Sequence, residues 1–243
     1  FERMLYIGPR LFDSGNFLTF TAGHFLDSGQ AIECDGPFGF VENIRTQIKN
    51  GVDHIKLNLS GGIMGPNWDQ HKHSFLLDEE LEAAFAICKK RNMKIMSHAT
   101  NPLSVKKAST MGAHSIEHGY IMDEECIELM IEHNTWYVPT LAITQLTDSQ
   151  STDSWEKEWS QKRNLNQHLS TRAENASKEH SKWFLKSLKS GVKMALGSDI
   201  KPLKDSCLLE MGLWANCGEP EWETYLPATE TASYQLLPMP TKP

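Results

Sequence analysis

The chain has 243 residues, of which 40% are hydrophobic, and its 31 acidic and 24 basic side chains give a formal net charge of −7. This length suffices for one large domain with a sizeable core. The acidic balance argues against a general nucleic-acid or membrane-surface role, because phosphate backbones and anionic headgroups attract basic patches.

The apolar runs are too short to span a bilayer, and the first ten residues lack the pattern of a signal peptide. We therefore expect a soluble, cytoplasmic protein. The chain starts without an initiator methionine, and we expect further sequence upstream of it. Five cysteines occur without a C-x-x-C pair, which favours reduced thiols, most of them in the core, over a disulfide framework.

The N-terminal half predicts an alternation of strands and helices. Its predicted elements are a strand at 7–12, a loop that contains His24, a helix at 38–50, a strand at 52–59 and a helix at 78–91. Gly61 and Gly62 follow the second strand, where glycine permits a sharp turn or the close approach of a ligand. The polar loop at 63–77 is long for a simple connection, and such loops tend to be functional or mobile.

The central stretch, 93–120, predicts a strand–helix–strand unit with a histidine at the end of each strand. Short apolar runs lead to His98 and to His118, and the helix between them begins at a proline and ends at a glycine. Consecutive parallel strands lie side by side and point the same way, so both histidines should emerge at one edge of the sheet. Two neutral imidazoles that converge there suggest a metal.

The C-terminal half continues the alternation. Its predicted elements are a helix capped by Asp123, a strand at 136–141, a polar loop at 144–154, a long helical region at 155–190 and a strand at 192–199 that ends at Asp199. One or two further helices and a weakly ordered tail follow.

Strands that alternate with helices predict an α/β fold in which helices cover a parallel sheet. Polar side chains collect where the predicted strands end, at Lys56, His98, His118 and Asp199, and in a (β/α)8 TIM-type barrel this face carries the active site. A complete barrel needs eight strands. We count about six in this sequence, so we expect a barrel that lacks its first two strands.

The domain assignment follows from this pattern. We assign 1–218 to the barrel and 219–243 to a C-terminal helix and tail. Four aromatic side chains lie at helical spacing within 155–190. We expect them to pack that region on the barrel or on a neighbouring subunit rather than to bind a separate partner; they are Trp155, Trp159, Trp183 and Phe184.

Two histidines and an aspartate on separate strand ends match the ligands of a catalytic zinc site that leaves a position open for water. Zinc acidifies its bound water, and a nearby carboxylate can take and return a proton, so this set of residues favours a hydrolase. Lys56 has two interpretations. It forms an ion pair with Asp199 or another acid, or it is desolvated and adds carbon dioxide to become a carbamate that bridges two metals. The position of Lys56 in the sequence does not decide between the ion pair and the carbamate.

The motifs in their order resemble those of the amidohydrolase superfamily. They are Ile55-Lys56, Ser60-Gly61-Gly62, Ser97-His98-Ala99, Ser115-Ile116-Glu117-His118-Gly119 and Gly197-Ser198-Asp199. Within the superfamily, the chain is most similar to the branch of Xaa-Pro dipeptidases and metal-dependent carboxypeptidases, alongside imidazolonepropionase-like proteins. The opening Gly8-Pro9-Arg10 and the segment Thr21-Ala22-Gly23-His24 are similar to that branch too.

The resemblance implies a distorted barrel in which this chain starts near the third strand. It makes Lys56 a carbamylated ligand that bridges two zinc ions, His98 and His118 further ligands, and Asp199 both a ligand and the proton shuttle. A metal-bridging hydroxide would attack the amide bond of an Xaa-Pro or C-terminal peptide, or of an N-acyl amino acid. His24, on its loop, is a candidate substrate contact.

Tyr120 is a second candidate substrate contact. Two departures from the family pattern bear on these expectations. The family's first-strand His-x-His pair is absent, and Thr100 stands where many relatives carry tyrosine or histidine. The alternatives are therefore a cyclic-amide hydrolase with one metal, which needs no modified lysine, and a catalytically silent or fragmentary barrel. The sequence does not determine the oligomeric state, and a homo-oligomer is compatible with it.

Overall fold

A computed structural model describes residues 11–201, 205–218, 220 and 224–229. These residues form one six-stranded parallel sheet in the order β2-β1-β3-β4-β5-β6. The strands are β1 Phe17–Thr19, β2 Ala31–Glu33, β3 His54–Asn58, β4 Lys94–Ala99, β5 Ser115–His118 and β6 Trp136–Val138. The predicted α/β fold is confirmed, and it forms part of a TIM-type barrel.

Helices follow most of the strands and cover the sheet. They are α1 Gly36–Lys49, α2 Asp78–Lys90, α3 Pro102–Met111, α4 Glu124–Glu132, α5 Ala142–Gln145, α6 Ser154–Arg163, α7 Gln167–Ser190, α8 Ser206–Asn216 and α9 Tyr225–Ala228, with a short 3-10 helix at Leu26–Ser28. A bilayer-spanning helix, which must be both long and apolar, is not found in the part of the chain that the structure describes.

Local signals set the helix ends as predicted. Helix α3 begins after Asn101, whose side chain accepts a hydrogen bond from the backbone N–H of Ser104, and it ends at Gly112 with a φ of 92°. Asp123 caps α4 by accepting from the N–H of Cys126. These contacts satisfy backbone groups that have no partner within the helix.

The predicted helical region at 155–190 is two helices rather than one. Asn164 has a φ of 49°, a left-handed conformation that ends α6, and the side chain of Asn166 then caps α7. Trp159, Trp183 and Phe184 are buried within the chain, whereas Trp155 is 38% exposed. Three of the four predicted aromatic contacts therefore pack inside this chain.

The predicted strand at 192–199 is wrong over most of its length. A single parallel bridge joins Met194 to Tyr137, with the N–H of Tyr137 donating to the carbonyl of Lys193. Within the described residues the segment pairs with the short strand β6, and at Asp199 the backbone turns into the left-handed region with a φ of 50°. The segment therefore forms a single bridge and not a regular strand.

The predicted strand at 7–12 lies mostly outside the described residues, and its last two residues are not in a strand. Strands β1 and β2 lie in the region that we predicted as a loop. Each of these strands has only three residues, which are too few to show the alternation of apolar and polar side chains that predicts a strand. The proposed domain boundary at residue 218 stays a prediction. A hydrogen bond crosses it, because the carbonyl of Pro227, in α9, accepts from the N–H of Leu196.

The register of the central strands determines which side chains face the barrel interior. Asn58 is opposite His98, and His98 is opposite Glu117, while Lys56 is opposite Met96. Side chains alternate along a strand, so these residues share one face of the sheet. The other face is apolar and packs under the helices through buried side chains that include Leu18, Ile55, Leu57, Ile95 and Ile116.

Candidate active site

A cavity of about 320 Å³ opens at the carboxyl ends of the strands, and all six predicted site residues line it. They are His24, Lys56, His98, His118, Tyr120 and Asp199. Apolar side chains complete the wall, among them Phe17, Phe25, Ile63, Met64 and Ile143. The cavity has the size and mixed lining that are typical of a site for a small ligand.

The rings of His98 and His118 lie edge to face, with their centroids 4.5 Å apart. His98 Nε2 is 3.0 Å from the carbonyl oxygen of Gly61, and His118 Nδ1 is 2.8 Å from Thr140 Oγ1. Burial lowers the pKa of both imidazoles well below 6.5, and neighbouring positive groups lower them further. Both rings are therefore held neutral, the form that binds metals.

Three residues of the site have a left-handed backbone. They are His118, with a φ of 77°, Thr140, with a φ of 53°, and Asp199, with a φ of 50°. Such conformations are uncommon for residues other than glycine and concentrate at functional sites. A hydrogen bond stabilises the left-handed backbone of His118, because the hydroxyl of Tyr137 donates to the carbonyl of His118.

Asp199 is exposed on the cavity wall. The surrounding protein nevertheless removes much of its bulk water and raises the pKa of its carboxyl, while the charges of Lys56, His24 and Arg163 oppose that rise. A carboxylate with a raised pKa can accept and return a proton closer to neutrality.

Lys56 lies in the middle of β3 rather than at its end. Burial lowers the pKa of its amine, and the negative charges of Glu117 and Asp199 oppose this. Among the described residues, no carboxylate lies within 4 Å of its amine. The ion pair that we considered for Lys56 and Asp199 is therefore not formed as a direct contact.

The ring of His24 is held by two partners. Its Nδ1 is 2.6 Å from Asp69 Oδ2, and its ring stacks on that of His98 with centroids 4.2 Å apart. The amide of Asn58 also donates to the backbone carbonyl of His24. The loop histidine is thereby brought to the histidines of the sheet.

Tyr120 is buried, and three histidine rings surround it. Its ring centroid is 5.4 Å from that of His118, 5.1 Å from that of His180 and 6.3 Å from that of His71. Burial raises the pKa of Tyr120 well above 10, so its hydroxyl stays protonated and can donate a hydrogen bond into the cavity.

The sequence does contain one His-x-His pair, at His71 and His73, in the loop after β3. His71 is buried, whereas His73 is exposed and contacts Phe75 with ring centroids 5.9 Å apart. Neither is among the residues that line the cavity. This pair is therefore not the first-strand pair of the family.

Thr100, for which the family resemblance implied a tyrosine or histidine, has a structural role. Its hydroxyl lies 2.8 Å from the carbonyl of Gly61 and 2.7 Å from that of His71, and its N–H donates to Ser60 Oγ. These contacts join the end of β4 to the loop that follows β3.

Sequence reasoning missed three polar residues around the site, namely Asp69, Glu117 and Thr140. Asp69 lies in the long polar loop, whose length was the only available signal. Glu117 is buried beside Lys56, and burial raises its pKa. Thr140 follows the proline of the predicted strand at 136–141, and no spacing rule marks it as a partner of His118.

The donors in the cavity fit part of a metal site. Two neutral imidazoles and an amine of lowered pKa face one space beside Asp199. Within the described ranges, however, no three His, Cys, Asp or Glu groups come close enough together to hold a metal ion. A complete ligand set therefore requires a modified Lys56 or donors beyond these residues.

Comparison with known proteins agrees with this architecture. The model of the amidohydrolase family matches residues 2–222 of the chain. Ochratoxinase from Aspergillus niger is 26% identical, over 81% of this chain and 43% of its own sequence. The crystal structure of A. niger ochratoxinase, at 24% identity and a TM-score of 0.80, covers 96% of this chain and 56% of its own and supports the fold.

Two solved structures at 25% identity extend the likeness. A Xaa-Pro dipeptidase with bound methionine in the active site has a TM-score of 0.78 and covers 95% of this chain and 58% of that chain. A prolidase complexed with N-methylphosphonate-L-proline has a TM-score of 0.80 and covers 97% of this chain and 59% of that one. The chain thus spans about half the length of its relatives. It belongs to the amidohydrolase family.

Proposed function

We propose that this chain carries the catalytic face of a metal-dependent amidohydrolase that cleaves the amide bond of a small peptide or an N-acyl amino acid. The main support is the convergence of Lys56, His98, His118 and Asp199, from four segments of the chain, on one cavity. The names of the dipeptidase, prolidase and ochratoxinase relatives agree with a substrate that contains an amide bond.

In this proposal, His98, His118 and a carbamylated Lys56 hold zinc, with two divalent ions in the complete centre. Bound zinc would supply an acidified water and polarise the amide carbonyl. The low pKa values of the two histidines keep them unprotonated for this role. The lowered pKa of Lys56 favours the free amine, which is the form that adds carbon dioxide.

Asp199 is the proposed proton shuttle and a further ligand. A carboxylate oxygen of Asp199 takes a proton in the cavity and returns it to the departing amine, and its raised pKa suits both steps. Tyr120 donates its hydroxyl hydrogen to a carbonyl or carboxylate oxygen of the substrate, and His24 is a second substrate contact. The apolar wall that includes Phe17 and Phe25 accommodates a hydrophobic side chain.

The first test is metal content, measured on protein purified without chelator. We expect roughly one to two zinc ions per chain, a value that falls in the Lys56→Met and His98→Asn variants. His133→Asn is the matched control, because His133 lies on the surface and its loss should leave the zinc content unchanged. An absence of zinc from the parent would support the silent-barrel alternative instead.

The second test is hydrolysis by the zinc-loaded chain. We expect release of the amine from leucyl-proline or N-acetyl-L-phenylalanine, and little from N-phenethylacetamide, which has the same amide but no carboxylate. If Lys56→Met keeps its zinc and only a cyclic amide is cleaved, the one-metal alternative is favoured and the present proposal fails.

A further inference from the structure

We infer that Asp69 and Arg172 are positioning residues that set the orientation of His24 in the cavity. This inference rests on the proposed function, because it gives a purpose to the substrate contact that we assign to His24. Neither residue touches the cavity itself, so both act through the histidine.

The contact between Asp69 and His24 selects one nitrogen of the ring. Asp69 is fully buried, its Oδ2 lies 2.6 Å from His24 Nδ1, and its Oδ1 accepts a hydrogen bond from the N–H of Gly62 at 2.8 Å. An ionised carboxylate can only accept, so Nδ1 of His24 carries a hydrogen. This contact leaves Nε2 as the nitrogen that is available to a ligand, as in the carboxylate–histidine pairs that orient metal ligands.

The ionisation of Asp69 agrees with this assignment. Burial alone would raise the pKa of Asp69, but the hydrogen bond and charge of His24, the N–H of Gly62 and the charge of Arg172 together bring it below the ordinary value. The buried carboxylate is therefore stabilised in the form that accepts from His24.

Close packing holds the pair in place. A Cβ built on Gly65 would lie 2.0 Å from Asp69 Oδ2, so the backbone there approaches the carboxylate too closely for any side chain. On the other side, the ring of His24 stacks on the ring of His98. Neither partner of the pair can rotate away without a shift of the loop after β3.

Arg172 ties that loop to helix α7. Its Nη1 donates to the carbonyl of Gly65 at 2.7 Å and to that of Pro66 at 3.3 Å, and its Nη2 donates to the carbonyls of Gly62 and Asp69. One side chain thus gathers four carbonyl groups around Asp69. Within the described ranges no carboxylate lies within 4 Å of this guanidinium. Its contacts organise the loop, and it forms no ion pair there.

The experiment uses the imidazole N–H of His24 as a probe, observed by ¹⁵N–¹H NMR of the whole chain and assigned by its loss in His24→Gln. We expect Asp69→Asn to remove the hydrogen-bonded signal. We expect Arg172→Met to raise its exchange rate with water about tenfold, because the loop opens more readily. Arg172→Lys should not restore the slow exchange, since the single ammonium of lysine cannot replace the planar guanidinium that contacts four carbonyls.

Lys178→Met is the control, because Lys178 is exposed on the same helix and should leave the signal unchanged. An unchanged signal in folded Asp69→Asn or Arg172→Met overturns the inference, whether or not the chain hydrolyses any amide. If hydrolysis is observed, both variants should lower kcat/KM by about 10²-fold, the usual cost of a misplaced contact. Failure of hydrolysis with the NMR result intact would count against the proposed function alone.

Discussion

Thr140 Oγ1 lies 2.8 Å from His118 Nδ1, and both residues have a left-handed backbone. The hydroxyl therefore determines which nitrogen of His118 faces the cavity. Glu210 fixes the position of the threonine in turn, because its carboxylate accepts from the N–H groups of Leu141 and Ala142. A buried residue of α8 thus supports a histidine of β5.

We predict that Thr140→Val weakens zinc binding by about tenfold, because removal of a partner of a ligating histidine has an effect of that order. Valine keeps the β-branched shape, so the strain at the φ of 53° is unchanged. Competition with a chelating dye measures the affinity. Thr147→Val, which removes a buried hydroxyl bonded to Ser149 and Glu174, is the control. Equal affinities in the two variants would contradict the prediction.

Gly62→Ala should destabilise the fold by about 1–3 kcal/mol, the usual cost of overpacking. The added Cβ would lie 2.0 Å from His24 Cε1, so the ring or the loop must move. Urea unfolding measures the change in free energy. Gly212→Ala is the control, because Gly212 lies in α8 with open space around it and alanine there should stabilise by up to about 1 kcal/mol. Similar effects in both variants would show that Gly62 is not tightly packed.

Glu210 should make stability depend on pH. Burial raises its pKa to about 8, against the effect of its three N–H donors. The folded state then binds more protons than the unfolded state between the ordinary value of 4.5 and about 8. The raised pKa of Glu210 therefore stabilises the folded state fully below pH 4.5, and this stabilisation is lost as pH rises through 8. The free energy of unfolding falls by at most about 1.4 kcal/mol per pH unit over this range.

Glu210→Gln, which cannot titrate, isolates this effect. All other ionisable groups are shared, so the parent-minus-variant difference in the free energy of unfolding should fall as pH rises from 4.5 to 8. Denaturant unfolding across that range measures it. A difference that is constant with pH would mean that Glu210 keeps its ordinary pKa.

Asn101→Ala should cost more stability than Asn166→Ala, although both remove a helix cap. In the described structure the side chain of Asn166 accepts only from the N–H of Leu169, and loss of such a cap costs about 1 kcal/mol. Asn101 caps α3 and also bonds to the hydroxyl of Ser74 and to the carbonyl of His71. We expect an additional loss of about 1 kcal/mol from these buried bonds. Thermal unfolding of the two variants compares them, and equal losses would argue against the extra contacts.

Much of the fold was predictable because its signals are local. Apolar periodicity placed α1, α2 and the central strands, and Asp123 and Gly112 mark the start of α4 and the end of α3. The errors occur where local signals are weak or compete. Strands β1 and β2 are only three residues long, Asn164 interrupts a region that is helical on both sides, and the segment at 192–199 has too short a partner.

The sequence by itself determined the alternation of strands and helices, and it placed His98 and His118 together, because residues at the ends of neighbouring parallel strands share one edge of a sheet. Only the tertiary structure decided how the side chains of the cavity are held. Asp69 reaches His24 from a distant loop, Thr140 reaches His118 from the segment after β6, and Arg172 reaches the loop from α7. These pairings depend on the three-dimensional approach of separate segments, for which neither periodicity nor spacing along the chain provides a signal.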